Sequence, residues 1–436
     1  MPIQLTGNRR RAALLAAATC CLLITTGTTV AAVGPEPGPA DVNRTWSVDL
    51  GTLTDDDAGV RHTGGALRLD PGAPVGGAEP GASAGTGAAS PGTREVSGQL
   101  VAEPVGLSSP AAAIAADVDA DAPAGTSVLV DVRGRLSGQG PDSWTEWVPA
   151  GSPLPSVSET VQARVTLVSA GDATPAVRKV SLTPKADRSR SLQDVETGEA
   201  EAGQSGAKAY TVFATREGLV GGTTANGHVI TQRDHFVALP SRRGLSSKGS
   251  GSYSVRVCAP STGRCAYAPV WDVGPWNTTD DYWNPTESRQ SWGDLPRGKP
   301  QAQAAYQDGY NNGRDGFDRK VVNPAGIDLG DGTFWDGLGL KDNAWTTVTY
   351  LWSGSGPRGI VRTDGGPLNV RSGPGTDYAA VGMAGRYANL VIECTATGTT
   401  VNGSLGTTKV WNRIGPGNWV SDAYVDTGAD GRAPAC

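Results

Sequence analysis

A mainly β, loop-rich protein built from several small modules is what this sequence predicts, on three observations. Its 436 residues include 61 Gly and 30 Pro, a composition that favours turns over long helices. Short runs repeatedly alternate apolar and polar residues, the two-residue period of half-buried strands. Charged residues make up 18% of the chain, with a formal net charge of −6. No basic stripe is present that would draw nucleic-acid phosphates, so nucleic acid is not an expected partner. The length allows about three domains.

At the start of the chain, Arg9, Arg10 and Arg11 precede an uncharged apolar run over residues 12–24, and Val30-Ala31-Ala32 follow. A positive segment, an apolar segment and small residues in that order form an export signal, expected over residues 1–32. The apolar run has 13 residues, fewer than the roughly 20 that a bilayer core requires. No stable membrane insertion is therefore expected. Four cysteines remain beyond the signal, Cys258, Cys265, Cys394 and Cys436. An even number in an exported chain favours disulfides over metal ligation or a catalytic thiol. Cys258 and Cys265 flank a turn-rich segment and should staple a hairpin. Cys394 and Cys436 should then tie the last residues back. With only three His, a multi-histidine metal site is disfavoured, and neither metal nor cofactor is expected.

Residues 45–184 read as a β-sandwich. Ser127-Val-Leu-Val-Asp-Val-Arg133 and Thr160-Val-Gln-Ala-Arg-Val-Thr166 alternate in the required way. Between them, Ser143-Trp-Thr-Glu-Trp-Val148 is expected to present Trp144 and Trp147 from one strand face. They form either a platform for glycan stacking or part of the core. Residues 185–207 are polar, charged and poor in apolar side chains, the composition of a linker.

The central segment, residues 208–352, opens with the strand Tyr210-Thr-Val-Phe-Ala-Thr215 and the turn Thr224-Ala-Asn-Gly227. His235-Phe-Val-Ala-Leu-Pro240, Tyr253-Ser-Val-Arg-Val-Cys258 and Tyr267-Ala-Pro-Val-Trp-Asp-Val-Gly-Pro-Trp276 follow. Gly326-Ile-Asp-Leu-Gly330 and Thr346-Thr-Val-Thr-Tyr-Leu-Trp352 complete it. This order of motifs resembles the double-psi β-barrel of the rare lipoprotein A and expansin/barwin group. The resemblance implies glycan chemistry. Asp272, in the Asp-x-Gly-Pro position, would be the acid/base of a lytic transglycosylase or glycoside hydrolase. Asp328, in Ile-Asp-Leu, would face the same cleft. Cleavage by water needs two carboxyls, whereas a transglycosylase manages with one because the substrate's own hydroxyl attacks. Trp271 and Trp276 would lower the local polarity and raise the pKa of Asp272.

Two positions depart from the group's pattern. Its strand histidine should fall at Phe236, and His235 sits one residue early, so a register change is needed to present it as a third catalytic group. Gly326 stands where expansins have a histidine. Between the two aspartates, residues 277–325 form an aromatic-rich insertion containing Tyr282 and Trp283. It reads either as a sugar-stacking wall beside the cleft or as a self-packed subdomain. A short helix is expected over residues 298–306.

At the other end, Gly366-Pro-Leu-Asn-Val-Arg-Ser-Gly-Pro-Gly-Thr-Asp-Tyr378 resembles the opening of bacterial SH3 domains, a resemblance that covers residues 360–436. It implies an SH3-like small barrel that binds wall peptides or glycans, with Tyr378 and Trp411 as contacts. Together these features lead to an expected secreted, wall-associated protein whose partner is peptidoglycan or another polysaccharide. The alternative is a non-catalytic, expansin-like binding protein.

Overall fold

The computed structural model describes residues 44–73, 95–185, 206–428 and 433–436. The expected export signal and residues 186–205 of the expected linker lie outside these. The described chain is mainly β, as its composition implies, with a closed six-strand barrel among several sheets.

The N-terminal strands form one hydrogen-bonded sheet. Two strands of 17 residues, Val105–Asp121 and Pro153–Ser169, run side by side in it. Register shifts after Gly106 and Ala111 mark irregularities where Val105–Asp121 departs from its partner. Apolar alternate residues such as Leu67, Ile114, Val165, Leu167 and Val177 are wholly buried in one cluster. Trp144 and Trp147 do not stand on a regular strand, because they are three positions apart and the segment between them is irregular. The Arg133 guanidinium joins them, with its carbon 4.5 Å from one ring centre and 4.4 Å from the other. Both tryptophans are buried, so the core alternative holds and the glycan-platform expectation does not.

The barrel comprises β1 (Ala209–Glu217), β2 (Val237–Leu239), β3 (Ser254–Ala259), β4 (Arg264–Val273), β5 (Ala325–Gly330) and β6 (Ala344–Tyr350). Its strand order is β2-β5-β1-β6-β3-β4, and β4 closes back onto β2. The pairs β1–β5 and β2–β4 are parallel, and the other four are antiparallel. Cys258 and Cys265 face each other across the β3–β4 hairpin and are bonded, as are Cys394 and Cys436.

The insertion contributes one helix, α1 (Gln301–Asp308), close to the expected position. Its Tyr282 and Trp283 lie in the same apolar core as the barrel strands, with Trp283 stacked 5.0 Å from Tyr350. Those two aromatics are therefore core residues, which corrects the expectation that they line a sugar-facing wall. Each ring removes roughly 150–250 Å² from water, and both pack against Tyr350, with Trp352 also against Trp283.

After the barrel come β7 (Leu368–Arg371), β8 (Ala380–Ala384), β9 (Cys394–Gly403), β10 (Gly406–Gly415) and β11 (Asn418–Ser421). They pack around Val361, Val370, Leu390 and Val420, with a second small sheet including Arg358–Val361. These strands are not a bead on a string. Barrel strand β4 pairs in parallel with β8, matching Cys265 to Gly382 and Tyr267 to Ala384, so one sheet spans both modules. Among the described residues no helix is long and apolar enough to cross a membrane.

Candidate functional site

Strand pairing brings the two candidate aspartates into one row. Ala238, on the three-residue strand β2, is the register partner of Asp272 on β4 and of Asp328 on β5. Thr215 on β1 is in turn the partner of Asp328. The Cα atoms of the two aspartates are thus two strand spacings apart, about 10 Å. Ile327 and Leu329 belong to the barrel core, so strand alternation turns Asp328 to the opposite face. Ala238, between the core residues Val237 and Leu239, turns the same way.

Two bulges make this row possible. The β2–β4 register passes from Val237↔Val270 to Ala238↔Asp272, which leaves Trp271 as the extra residue and re-aims Asp272. The β1–β5 register passes from Phe213↔Ala325 to Ala214↔Ile327, which leaves Gly326 extra. A side chain at Gly326 would meet Pro300 Cγ at 2.5 Å, which explains why no bulky residue occupies this position.

A third acid, not singled out by motif, joins the row. Glu217 follows Thr215 by two positions on β1 and so shares its face. It is buried, and neither of its carboxyl oxygens meets a hydrogen-bonding group other than the Asp272 carboxyl. Burial raises the Glu217 pKa well above the carboxylate range, and the charges of Asp272 and Asp328 add to the effect. Asp272 is also raised by burial, against the opposing hydrogen bonds from Glu217 and from the Ala225 and Val273 amides. Those amides each lie 2.8 Å from Asp272 Oδ1. Asp328 is pushed up to about 7, again by burial, with a hydrogen bond from Thr215 Oγ1 acting the other way. Burial thus shifts all three carboxyls toward their protonated form.

The turn at residues 224–227 closes over Asp272. Besides the Ala225 amide, the Asn226 amide donates to Trp271 O at 3.2 Å, and Asn226 Nδ2 donates to Ser246 O at 3.2 Å. Thr224 Oγ1 donates to Asn226 Oδ1 at 2.7 Å. The Thr-Ala-Asn-Gly motif thus works as a clasp on the aspartate.

The remaining expected site residues lie elsewhere. His235 precedes β2, is buried, and makes no hydrogen bond to either aspartate. Burial lowers its pKa to about 4, so it is neutral at physiological pH. The ring sits against Gly332 and Gly337, and the residue's backbone and Cβ against Gly385. Trp271 is buried between Phe236 and His228, with ring centres 6.1 and 4.5 Å away, and its indole donates to Ser250 O. Trp276 packs among Ala302, Ala305 and Val321 of the insertion, and its indole donates to Asn323 Oδ1. Trp411 is buried and donates to Thr399 O. With Tyr282 and Trp283 in the barrel core, Tyr378 alone of the six expected aromatic contacts is substantially exposed, at 46%. Tyr378 lies over Gly373 and Gly375, where a Cβ would strike its ring. The five buried rings fill space between elements, because an indole or phenol inside a small β domain is worth more as packing than as a surface contact.

Comparison with known proteins adds family but not chemistry. The family model described as "Domain of unknown function (DUF8814)" matches residues 208–349, the span of the barrel. The uncharacterized protein YraI of Bacillus subtilis (strain 168) is 42% identical over 87 residues, 18% of this chain and 72% of the relative. The uncharacterized protein YraJ of the same organism is 42% identical over 80 residues, 16% of this chain and 68% of the relative. No solved structure matches the chain. By these similarities the chain belongs to the family of YraI and YraJ, and it carries a DUF8814 domain as its central barrel.

Proposed function

We propose that this is an exported protein that acts on cell-wall polysaccharide, with the Glu217–Asp272 pair as its acid/base. The observation that carries the reading is the row of three buried carboxyls that strand register brings together, none of them in an ion pair among the described residues and each shifted by burial toward its protonated form. Burying unpaired acids is costly, and such clusters are a mark of functional sites. The resemblance of the motif order to the double-psi barrel of the rare lipoprotein A and expansin group supports a glycan as substrate. The two disulfides suit an oxidising compartment. The resemblance of residues 360–436 to bacterial SH3 domains supports a wall-holding role for that module, with Tyr378 as its exposed aromatic.

In the proposed step the shared proton passes to the glycosidic oxygen and the C–O bond breaks. A hydroxyl of the same saccharide attacks the anomeric carbon, and its proton returns to the carboxyl pair. No water or external reagent is consumed, as in a lytic transglycosylase. The 224–227 turn must lift from Asp272 to admit the sugar.

One observation favours a second, non-catalytic reading. Asp272 Oδ1 already accepts two backbone amides and pins the turn, which is a structural use of a carboxylate. The test is incubation of purified wild type, Asp272→Asn and Glu217→Gln with purified peptidoglycan. Release of soluble muropeptides by the wild type and loss in both variants supports catalysis. Binding without release by all three leaves the expansin-like reading.

A further inference from the structure

Just outside the carboxyl row, strand β1 carries a different chemistry. Thr215 and Glu217 point to the row, so Arg216 between them points to the rim. Its guanidinium carbon lies 4.7 Å from the ring centre of Trp335, and the guanidinium carbon of Arg233 lies 4.5 Å from the same ring. Trp335 is 38% exposed, the only tryptophan besides Trp345 with so much surface open to water among the described residues.

The stack is built rather than incidental. Trp335 sits in a π-helical turn, Gly332–Gly337, that begins four residues after Asp328. Such turns are rare and recur at functional sites. Gly332 lets this turn approach the Arg233 backbone, because a Cβ there would meet Arg233 O at 2.2 Å. Arg233 itself is held at a φ of 64°, an uncommon conformation for a residue with a side chain. Two ion pairs then aim the guanidinia. Arg216 Nη1 lies 2.7 Å from Asp331 Oδ1, and Arg233 Nη1 lies 3.0 Å from Asp336 Oδ1. Each pair uses one nitrogen, and the side chain of Arg233 is 54% exposed and that of Arg216 26%.

We propose that Trp335, Arg216 and Arg233 form a binding subsite for a saccharide that bears a carboxylate, next to the carboxyl row. The inference rests on the polysaccharide reading above and names its chemical class. The unused guanidinium N–H groups are a fork for a carboxylate. Asp331 and Asp336 are acceptors for neighbouring sugar hydroxyls, and the indole edge offers an apolar surface to ring C–H bonds. The charges of the four ionic residues cancel in pairs, so the subsite selects by directed hydrogen bonds rather than by a broad positive field. A neutral sugar would satisfy Trp335 and the acids but leave the guanidinia unused. The carboxylate has two sources in such polymers, a hexuronic acid or the lactyl group of N-acetylmuramic acid.

Calorimetric titration of the full chain with three soluble oligosaccharides tests this: a hexuronate oligomer, an N-acetylmuramic-acid oligomer with its lactyl carboxylate free, and a neutral N-acetylglucosamine oligomer. At least one acidic oligomer should bind about tenfold or more tighter than the neutral one, the equivalent of about 1.4 kcal/mol. Which acidic oligomer binds identifies the source. Arg233→Gln and Trp335→Ala should each remove that preference, the first with a thermal midpoint near that of wild type because its side chain is 54% exposed, and a cooperative thermal melt for the second shows that it still folds. Equal affinity for the three oligomers overturns the proposal, as does an acidic preference that survives in both variants. The binding readout is separate from turnover. Acid-selective binding without muropeptide release would defeat only the catalytic reading, and release without acid selectivity would defeat only the subsite.

Discussion

The carboxylate of Glu146, in the N-terminal sheet module, accepts a hydrogen bond from the indole of Trp283 in the barrel insertion. The same carboxylate accepts from the Trp352 indole at 3.2 Å and from Asn284 Nδ2. Nearby, Tyr253 of the barrel donates to Thr145 O at 2.7 Å, and Arg164 Nη2 donates to Arg242 O at 3.0 Å. One buried acid thus satisfies two indoles that the barrel core could not otherwise bury without cost, and it joins the two modules in doing so.

Replacing Glu146 by Ala should therefore destabilise the full chain by about 3–5 kcal/mol, the usual penalty for stranding buried polar partners. Lys208, whose ammonium reaches Asn284 Oδ1 at 3.2 Å, would lose its main counter-charge as well. Glu146→Gln keeps an acceptor and should cost less. Urea unfolding measures both, and a loss under about 1 kcal/mol for the Ala variant would contradict the joint.

Stability should depend on pH through Asp328. Its folded-state pKa, about 7, lies above the 3.8 of an unperturbed aspartate. The contribution is fully present below the unfolded pKa and is lost as pH rises through about 7. His235 works in the opposite direction. With a folded pKa of about 4 against 6.5, its contribution is present above 6.5 and lost as pH falls through 4. Asp328→Asn should therefore melt higher than wild type at mildly alkaline pH and show no such gain in acid. Thermal melts of both proteins below pH 3.8 and above pH 7 check this, and an equal difference at both pH values would be inconsistent with it.

The join between barrel and C-terminal module depends on a glycine. A Cβ at Gly382 would lie 1.7 Å from the carbonyl oxygen of Cys265, so strand β8 can pair with β4 only if position 382 has no side chain. Gly382→Ala should cost on the order of 1–3 kcal/mol and loosen the join. Limited proteolysis should then cut between residues 353 and 358 faster than in wild type. Unchanged cleavage would mean that the shared sheet is not needed for docking.

The two disulfides should differ in weight. Cys394–Cys436 spans 42 residues and Cys258–Cys265 only 7. On the chain-entropy estimate these loops are worth about 4 and about 2 kcal/mol. Denaturant unfolding of the two paired Cys→Ser variants should rank them in that order. The reverse ranking would place the weight on local hairpin geometry instead.

Much of the fold was legible because strands write their period into the sequence. Residues 209–217, 254–259, 264–273 and 344–350 are strands where alternation and turn residues put them. The cysteine pairs followed from parity and local spacing. Aromatic residues were the weak point, since a ring that stacks on sugar and a ring that fills a core look the same in a sequence. Trp271, Trp276, Tyr282, Trp283 and Trp411 all proved buried, and Trp335, flanked by two arginines remote in sequence, gave no local signal. Glu217 was missed for the same reason. Nothing near it in the chain resembles a motif, and only the register of β1 against β5 brings it to the aspartates.

By itself, then, the sequence determined the β class, the strand segments and the disulfide partners, because each rests on spacing along the chain, while the two aspartates came from the resemblance of the motif order to the double-psi barrel group. Tertiary structure alone decided that the modules share cores and a sheet, which rings are hidden, and that Glu217 completes an acidic row. Those outcomes depend on which strands pair and where a bulge shifts the register by one residue, and such choices are made between segments far apart in the chain.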